Sequence, residues 1–147
     1  MFLNIKGLIQ SDKTKRAVRP KMAFYSVQNV ASIFDNQLQR IPEYNYSINT
    51  TESISVFGYA NIDSEKQLIT LWIDSEIPNN HFDTQDIDIT IENGNFDKPV
   101  WVDIFSGRIY EIPDANWNKT ENTYTFTDIP VYDSPILISD KSNIHFQ

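Results

Sequence analysis

A mainly β chain, built as an antiparallel β-sandwich of about seven to eight strands with one N-terminal α-helix, is the fold class this sequence predicts. Three observations predict it. After Pro42, apolar residues recur with a period of two in short runs at 53–59, 67–73, 86–91, 100–105, 108–112, 124–127 and 136–139. Turn-formers punctuate those runs: Asp63-Ser64, Pro78-Asn79-Asn80, Asn93-Gly94-Asn95, Ser106-Gly107, residues 116–122 and Asp133-Ser134-Pro135. The crossover helices that parallel strands would need are missing between them.

Taken in order, residues 1–10 offer Phe2, Leu3, Ile5, Leu8 and Ile9, a stretch too short and irregular to assign. Residues 11–19 are polar and basic, and with Lys21 the cluster Lys13, Lys15, Arg16 and Arg19 reads as a solvated loop. From 21 to 35 the apolar residues Ala23, Phe24, Val27, Val30, Ala31 and Phe34 keep the i, i+3, i+4, i+7 spacing of a helix, and Tyr25 and Ile33 widen the stripe. Pro20 suits a helix start, because its fixed φ and missing N–H do no harm there. A helix this apolar calls for a large apolar partner. In 86–91, Ile87, Ile89 and Ile91 alternate with Asp86, Asp88 and Thr90, and in 124–127 Tyr124 and Phe126 alternate with threonines, so one face of each strand is wet. In 100–113 two apolar runs flank Ser106-Gly107 as a hairpin with a tight turn. There Val100, Val102 and Ile104 share one face and Trp101, Asp103 and Phe105 the other, so both faces carry large apolar groups and the strand belongs inside the sandwich.

The 147 residues fit one domain with a real core, and 40% hydrophobic content excludes a disordered chain. A net charge of −8 argues against nucleic acid and anionic membranes, which need clustered Lys and Arg. The absence of cysteine removes disulfides, thiolate catalysis and zinc–thiolate sites, and fits a reducing compartment or a bacterial secreted protein alike. No run approaches the roughly 18 apolar residues of a membrane span. Residues 1–10 lack a signal-peptide pattern, so an export address, if the chain is the tail of a longer protein, lies upstream.

Catalytic candidates fail on spacing. Asp86 and Asp88 sit on a wet strand face, and Asp74, Asp83, Asp97 and Asp133 in turns, so no carboxylate pair stands out for the acid–base work of a glycosidase. His81, Asp83, Asp86 and Asp88 lack the alternate ligands and glycine of a calcium loop, and His145 stands alone near the end. No Gly-x-Ser-x-Gly elbow or phosphate loop occurs. No catalytic residue, metal or cofactor is therefore assigned. The tryptophans remain: a sugar ring stacks its C–H face on an aromatic plane. Trp72 and Trp101 fall mid-strand, where packing is expected, and Trp117 falls in a polar loop at 114–122, as the better platform or equally as a wedge closing the end of the sandwich; Trp117 and Trp101 are the candidate carbohydrate-binding residues.

At Lys6-Gly7-Leu8, and then Arg19-Pro20-Lys21-Met22-Ala23-Phe24-Tyr25-Ser26-Val27-Gln28-Asn29-Val30, the chain resembles the close of a TIM-barrel glycoside hydrolase of the β-xylosidase or endoglycanase kind. The last barrel helix there often opens with a Pro-x-Ala-Tyr-Tyr-Ala pattern, and Met22 and Phe24 stand where proline and tyrosine are common. Residues 99–113 and 122–140 resemble the final strands of the C-terminal β-sandwich that follows. The resemblance implies that 1–41 is the remnant of a barrel's end with one amphipathic helix at about 21–35, and that 42–147 is the sandwich domain. It also implies that the barrel strands bearing the catalytic glutamates are absent, so none transfers to this chain. The expected role is non-catalytic: packing on and stabilising a barrel, which is the large partner the helix calls for. Two alternatives stand beside it, a carbohydrate-binding module using Trp117 or Trp101, and a module that self-associates through helix 21–35.

Overall fold

A computed structural model describes residues 7–75, 77 and 83–145. In chain order these form β1 (Ile9–Ser11), β2 (Ala17–Pro20), α1 (Met22–Ile33), β3 (Leu38–Arg40), β4 (Tyr46–Asn49), β5 (Ile54–Asn61), β6 (Gln67–Ile73), β7 (Gln85–Ile91), β8 (Pro99–Asp103), β9 (Arg108–Glu111), β10 (Trp117–Thr120), β11 (Thr123–Val131) and β12 (Ile136–Asp140). Short 3₁₀ turns follow β9 and β12 at Asp114–Asn116 and Lys141–Asn143. The chain is mainly β and sandwich-like: a four-stranded sheet ordered β10-β11-β7-β4 faces a six-stranded sheet ordered β3-β5-β6-β12-β8-β9, every pairing antiparallel. β1 and β2 make a separate hairpin beside α1.

All seven expected runs are strands, and the helix is one turn shorter than the 21–35 pattern. The additional strands β1, β2, β3, β4 and β10 are three or four residues long, too brief for alternation to register. Of the basic cluster, Lys13, Lys15 and Arg16 lie in an exposed loop as expected, but that loop is the turn of a hairpin, and Arg19 falls in β2. The turn is held by the Asp12 carboxylate, which accepts from Thr14 N (2.8 Å), Thr14 Oγ1 (2.7 Å) and Arg16 N (3.0 Å). These bonds hold the Asp12 carboxyl below its ordinary pKa, the Thr14 hydroxyl contributing most.

Alternation places the core. Ile87, Ile89 and Ile91 of β7 and Tyr124, Phe126, Ile129 and Val131 of β11 meet Ile69, Leu71, Ile136 and Ile138 of the larger sheet, all buried. β11 runs longer than the 124–127 alternation because a bulge resets its period: the register with β7 shifts between Phe126 and Ile129, and Asp128 takes a φ of 55°. Phe126 and Ile129, three residues apart, therefore both point inward. The crossing from β3 to β4 carries Tyr44 into the sandwich, its hydroxyl donating to Gln67 Oε1 at 2.7 Å. That path needs Gly58, where a Cβ would meet the Tyr44 ring at 2.2 Å.

Strand β8 has two buried faces for a different reason than a sandwich interior alone would give. Trp101 joins the core between the sheets, whereas Val100, Val102 and Ile104 pack outward with Leu68, Leu137 and Ile33 of α1. The molecule has three layers: helix, six-stranded sheet, four-stranded sheet.

The seating of α1 corrects the expected stripe. The helix meets the sheet through Ser26, Asn29 and Ile33: Asn29 Nδ2 donates to Ile104 O at 2.8 Å, Ser26 Oγ approaches Phe105 O at 3.4 Å, and Ile33 is buried. Ala23, Val27, Val30 and Ala31, four of the six residues of the stripe, stay exposed together with Tyr25, and Phe34 is half-buried against Tyr59. No described helix is long and apolar enough to cross a membrane.

Candidate functional site

The β8–β9 hairpin that organises the sequence also builds the main concavity. Its loop is longer than a two-residue turn at Ser106-Gly107. β8 ends at Asp103, and residues 104–107 close the hairpin, with Gly107 N donating to Asp103 O at 2.8 Å. The Asp103 carboxylate organises that loop, accepting from Phe105 N (2.9 Å), Ser106 Oγ (2.5 Å) and the Tyr132 hydroxyl (2.6 Å). Gly107 has a φ of 72°, and a Cβ there would come within 2.9 Å of Asn29, so only glycine suits the backbone and leaves room beneath α1.

Loop length sets register. A two-residue turn would put Trp101 opposite Ile112; the four-residue loop puts it opposite Tyr110, and Asp103 opposite Arg108. Cross-strand partners share a face, so Trp101, Tyr110, Asp103 and Arg108 all line the inner side of the larger sheet. Opposite them stand Asn116, from the 3₁₀ turn, and the β11 bulge with Asp128, Ile129 and Pro130. The cleft between holds about 680 Å³, within the ~300–1,000 Å³ of small-molecule sites.

Its aromatic wall is fixed. The Trp101 indole N–H donates to Pro130 O at 3.0 Å, which sets the ring plane, and the Tyr110 ring lies 5.6 Å away, tilted by 57°. Trp101 is half-buried and Tyr110 is 48% exposed. Of the acids nearby, Asp103 is consumed by three donors and Glu111 pairs with Lys141 at 2.7 Å, the Lys141 ammonium holding the Glu111 carboxyl below its usual pKa. Burial pushes the Tyr132 hydroxyl well above the ordinary phenol range, aided by Asp103. Among the described residues, Arg108 has no carboxylate within ion-pair distance. Asn116 reaches Thr127 O and Asp128 Oδ2 only at 3.3 Å each.

The two tryptophans proposed for sugar binding are not brought together. Trp101 walls the cleft. Trp117 is not in a loop: it lies in β10 opposite Phe126, and its ring stacks on Tyr124 (6.2 Å, 5°) and Phe126 (6.4 Å, 23°), closing the edge of the core. Trp72 stacks on Phe57 at 5.5 Å on the outer sheet face, with Arg40 over the Phe57 ring at 4.9 Å. Asp97 pairs with Lys66 at 2.8 Å, and Asp88 Oδ1 accepts from Asp128 N at 3.1 Å, both structural uses. His81 lies outside the described residues, and His145 is exposed. Among the described residues, no three His, Asp or Glu side chains converge on a metal-sized site.

Arg108, Tyr110, Asn116 and Asp128 are the cleft residues that sequence reasoning missed. The signal existed in the period-two alternation of 108, 110 and 112, but without the loop length it could not be tied to Trp101. A second surface lies on the opposite side of the larger sheet, where α1 and the β1–β2 hairpin expose Leu8, Ile9, Val18, Met22, Tyr25, Val27 and Val30.

Comparison of the chain with protein-family models, with curated proteins and with solved structures finds no match.

Proposed function

We propose that this chain is the non-catalytic β-sandwich of a TIM-barrel glycoside hydrolase, and that it packs on and stabilises the catalytic barrel through the outward face of α1. One observation carries the reading. The helix is anchored to its own sheet by one buried apolar side chain, Ile33, and by polar contacts from Ser26 and Asn29, while Met22, Tyr25, Val27 and Val30 remain 40–53% exposed. An ordinary surface helix buries most of its apolar stripe. The hairpin residues Ile9 and Val18 beside the helix are exposed as well, adding apolar area of the kind that, where clustered, marks interaction sites. The residues 19–30 that create it are those resembling the last barrel helix, which supports a barrel as the occupant.

The test is co-expression of this chain with a TIM-barrel glycoside hydrolase domain of the β-xylosidase or endoglycanase kind. The chain alone turns over no aryl-glycoside, the pair co-elutes on size exclusion, and Val27→Asp weakens the association more than about tenfold, an unpaired charge in an apolar interface being costly. Turnover by the chain alone that disappears on carboxylate substitution, or co-elution indifferent to Val27→Asp, overturns the proposal. Light scattering separates the self-association alternative: a dimer of this chain alone, dissolved by Val27→Asp, would assign the same face to a second copy.

A further inference from the structure

We infer that the cleft between β9 and the β11 bulge is a binding site for a neutral pyranose oligosaccharide, with Trp101 and Tyr110 as its stacking walls and Arg108, Asn116 and Asp128 as its hydroxyl contacts. The site is distinct from the α1 face, since the two lie on opposite sides of the six-stranded sheet.

The ligand class follows from the lining. A flat, amphipathic molecule suits the cleft: an apolar face for the rings and a polar rim for the side chains around them. A pyranose has that build, with axial C–H groups on its faces and hydroxyls around its edge. Two aromatic rings tilted by 57° offer walls to two faces set at an angle, as successive sugar units twisted about their linkage present them. The Trp101 indole N–H is already taken by Pro130 O, so that ring contributes its plane rather than a hydrogen bond. Hydroxyl recognition falls to a set of groups that between them donate and accept. Arg108 and the Asn116 amide donate, and Asp128 accepts, its Oδ2 being met only at 3.3 Å by Asn116.

Charge sets the ligand neutral. Glu111 is paired with the Lys141 ammonium, whereas Asp103 keeps its charge among three neutral donors, so Arg108 stands against Asp103 and Asp128 inside the cleft. A uronate or sulfated sugar would meet Arg108 alone, in a chain of net charge −8. The site also costs little to form: the Trp101 plane is fixed by its hydrogen bond and the Asp103 loop by three donors, so binding orders few side chains.

The experiment titrates the full chain with xylohexaose, cellohexaose and mannohexaose by calorimetry and by tryptophan fluorescence. At least one neutral hexaose binds, and Tyr110→Ala weakens it about tenfold, the scale of one lost stacking wall. Tyr110→Phe retains it, and Arg108→Gln weakens it about threefold. Because Tyr110 sits on an exposed edge strand, Tyr110→Ala keeps the wild-type circular dichroism and melting midpoint, so lost binding is not lost folding. Val27→Asp, which tests docking on a barrel, leaves the affinity unchanged, and the two proposals therefore fail separately. No binding by any neutral hexaose at millimolar concentration overturns the inference. So does affinity that survives Tyr110→Ala, preference for oligogalacturonate over the neutral sugars, or tighter binding of a proline-rich decapeptide, another ligand that docks on aromatic grooves.

Discussion

The two faces of the six-stranded sheet are covered by opposite chemistry. The inner face meets the second sheet through isoleucines and aromatic rings fully removed from water, among them Ile89, Phe126 and Ile138. The outer face meets α1 through a small cluster in which Ile33 is the helix's one buried side chain, flanked by the polar contacts of Ser26 and Asn29. Burial proportional to apolar area makes the inner layer the source of stability and leaves the helix layer lightly held. A layer so held is suited to gaining a partner, which agrees with the separate roles proposed for the helix face and the cleft.

Truncating one buried residue in each layer gives the largest test of that contrast. Phe126→Ala empties space among Phe96, Trp117 and Tyr124 and is expected to cost about 3–5 kcal/mol, lowering the urea midpoint of the whole chain. Ile33→Ala costs about 2 kcal/mol, the low end for such a change, because a helix with a single buried side chain can shift towards the sheet and fill part of the space. Native-state hydrogen exchange distinguishes the mechanisms. Ile33→Ala should open α1 amides selectively while β7 and β11 stay protected, and equal loss of protection in all three would show that the layers unfold as one unit.

The same contrast explains what the sequence could reveal. Ile87, Ile89 and Ile91 announced their strand and its wet face because one rule, alternation against a dry core, governs them without exception. The helix was legible as a helix, yet its inner side was not, because periodicity records where apolar residues cluster and cannot know that Ile104 and Phe105 offer backbone oxygens to Asn29 and Ser26. Trp117 looked like a loop residue because Asn116, Asn118 and Asn122 surround it; its partner Phe126 is nine positions away, and only pairing in β10 and β11 reveals the stack. The cleft was hidden for a related reason. Its walls meet through a loop length and a bulge at Asp128, both set by φ values and local hydrogen bonds rather than by hydrophobic pattern. The barrel and sugar readings came instead from resemblance and from ring chemistry.

A smaller effect comes from the strap that ties the end of β12 to β8. The Asp140 carboxylate is 3% exposed and accepts from Asp97 N (2.6 Å), Lys98 N (3.0 Å), Ser142 N (2.9 Å) and Ser142 Oγ (2.5 Å). Burial pushes its pKa up, but these donors outweigh it and hold the carboxyl below the ordinary aspartate value. A folded pKa below the unfolded one means that the charge stabilises the fold fully above about pH 4, and that this stabilisation is lost as pH falls through the depressed folded value. Asp140→Asn should cost about 1–3 kcal/mol at neutral pH by leaving donors imperfectly paired. Its stability should also vary less than wild type's between pH 4 and pH 2 in urea titrations; an unchanged acid slope would rule out Asp140 as the source.

The smallest effect belongs to the helix anchor. Asn29→Ala removes the 2.8 Å bond to Ile104 O but keeps helix propensity, so the expected loss is about 0.5–1.5 kcal/mol, offset in part by alanine's better intrinsic preference. What it should change is local. Exchange of α1 amides quickens and the 104–107 loop loosens, while the Trp101–Tyr110 wall on the other face of the same hairpin keeps its sugar affinity. If Asn29→Ala instead weakened hexaose binding as strongly as Tyr110→Ala, the two sides of the sheet would be coupled through the Asp103 loop, whose carboxylate lines the cleft and whose Gly107 lies against Asn29. The helix would then be part of what shapes the cleft, and a partner docked on α1 would adjust sugar binding through that loop.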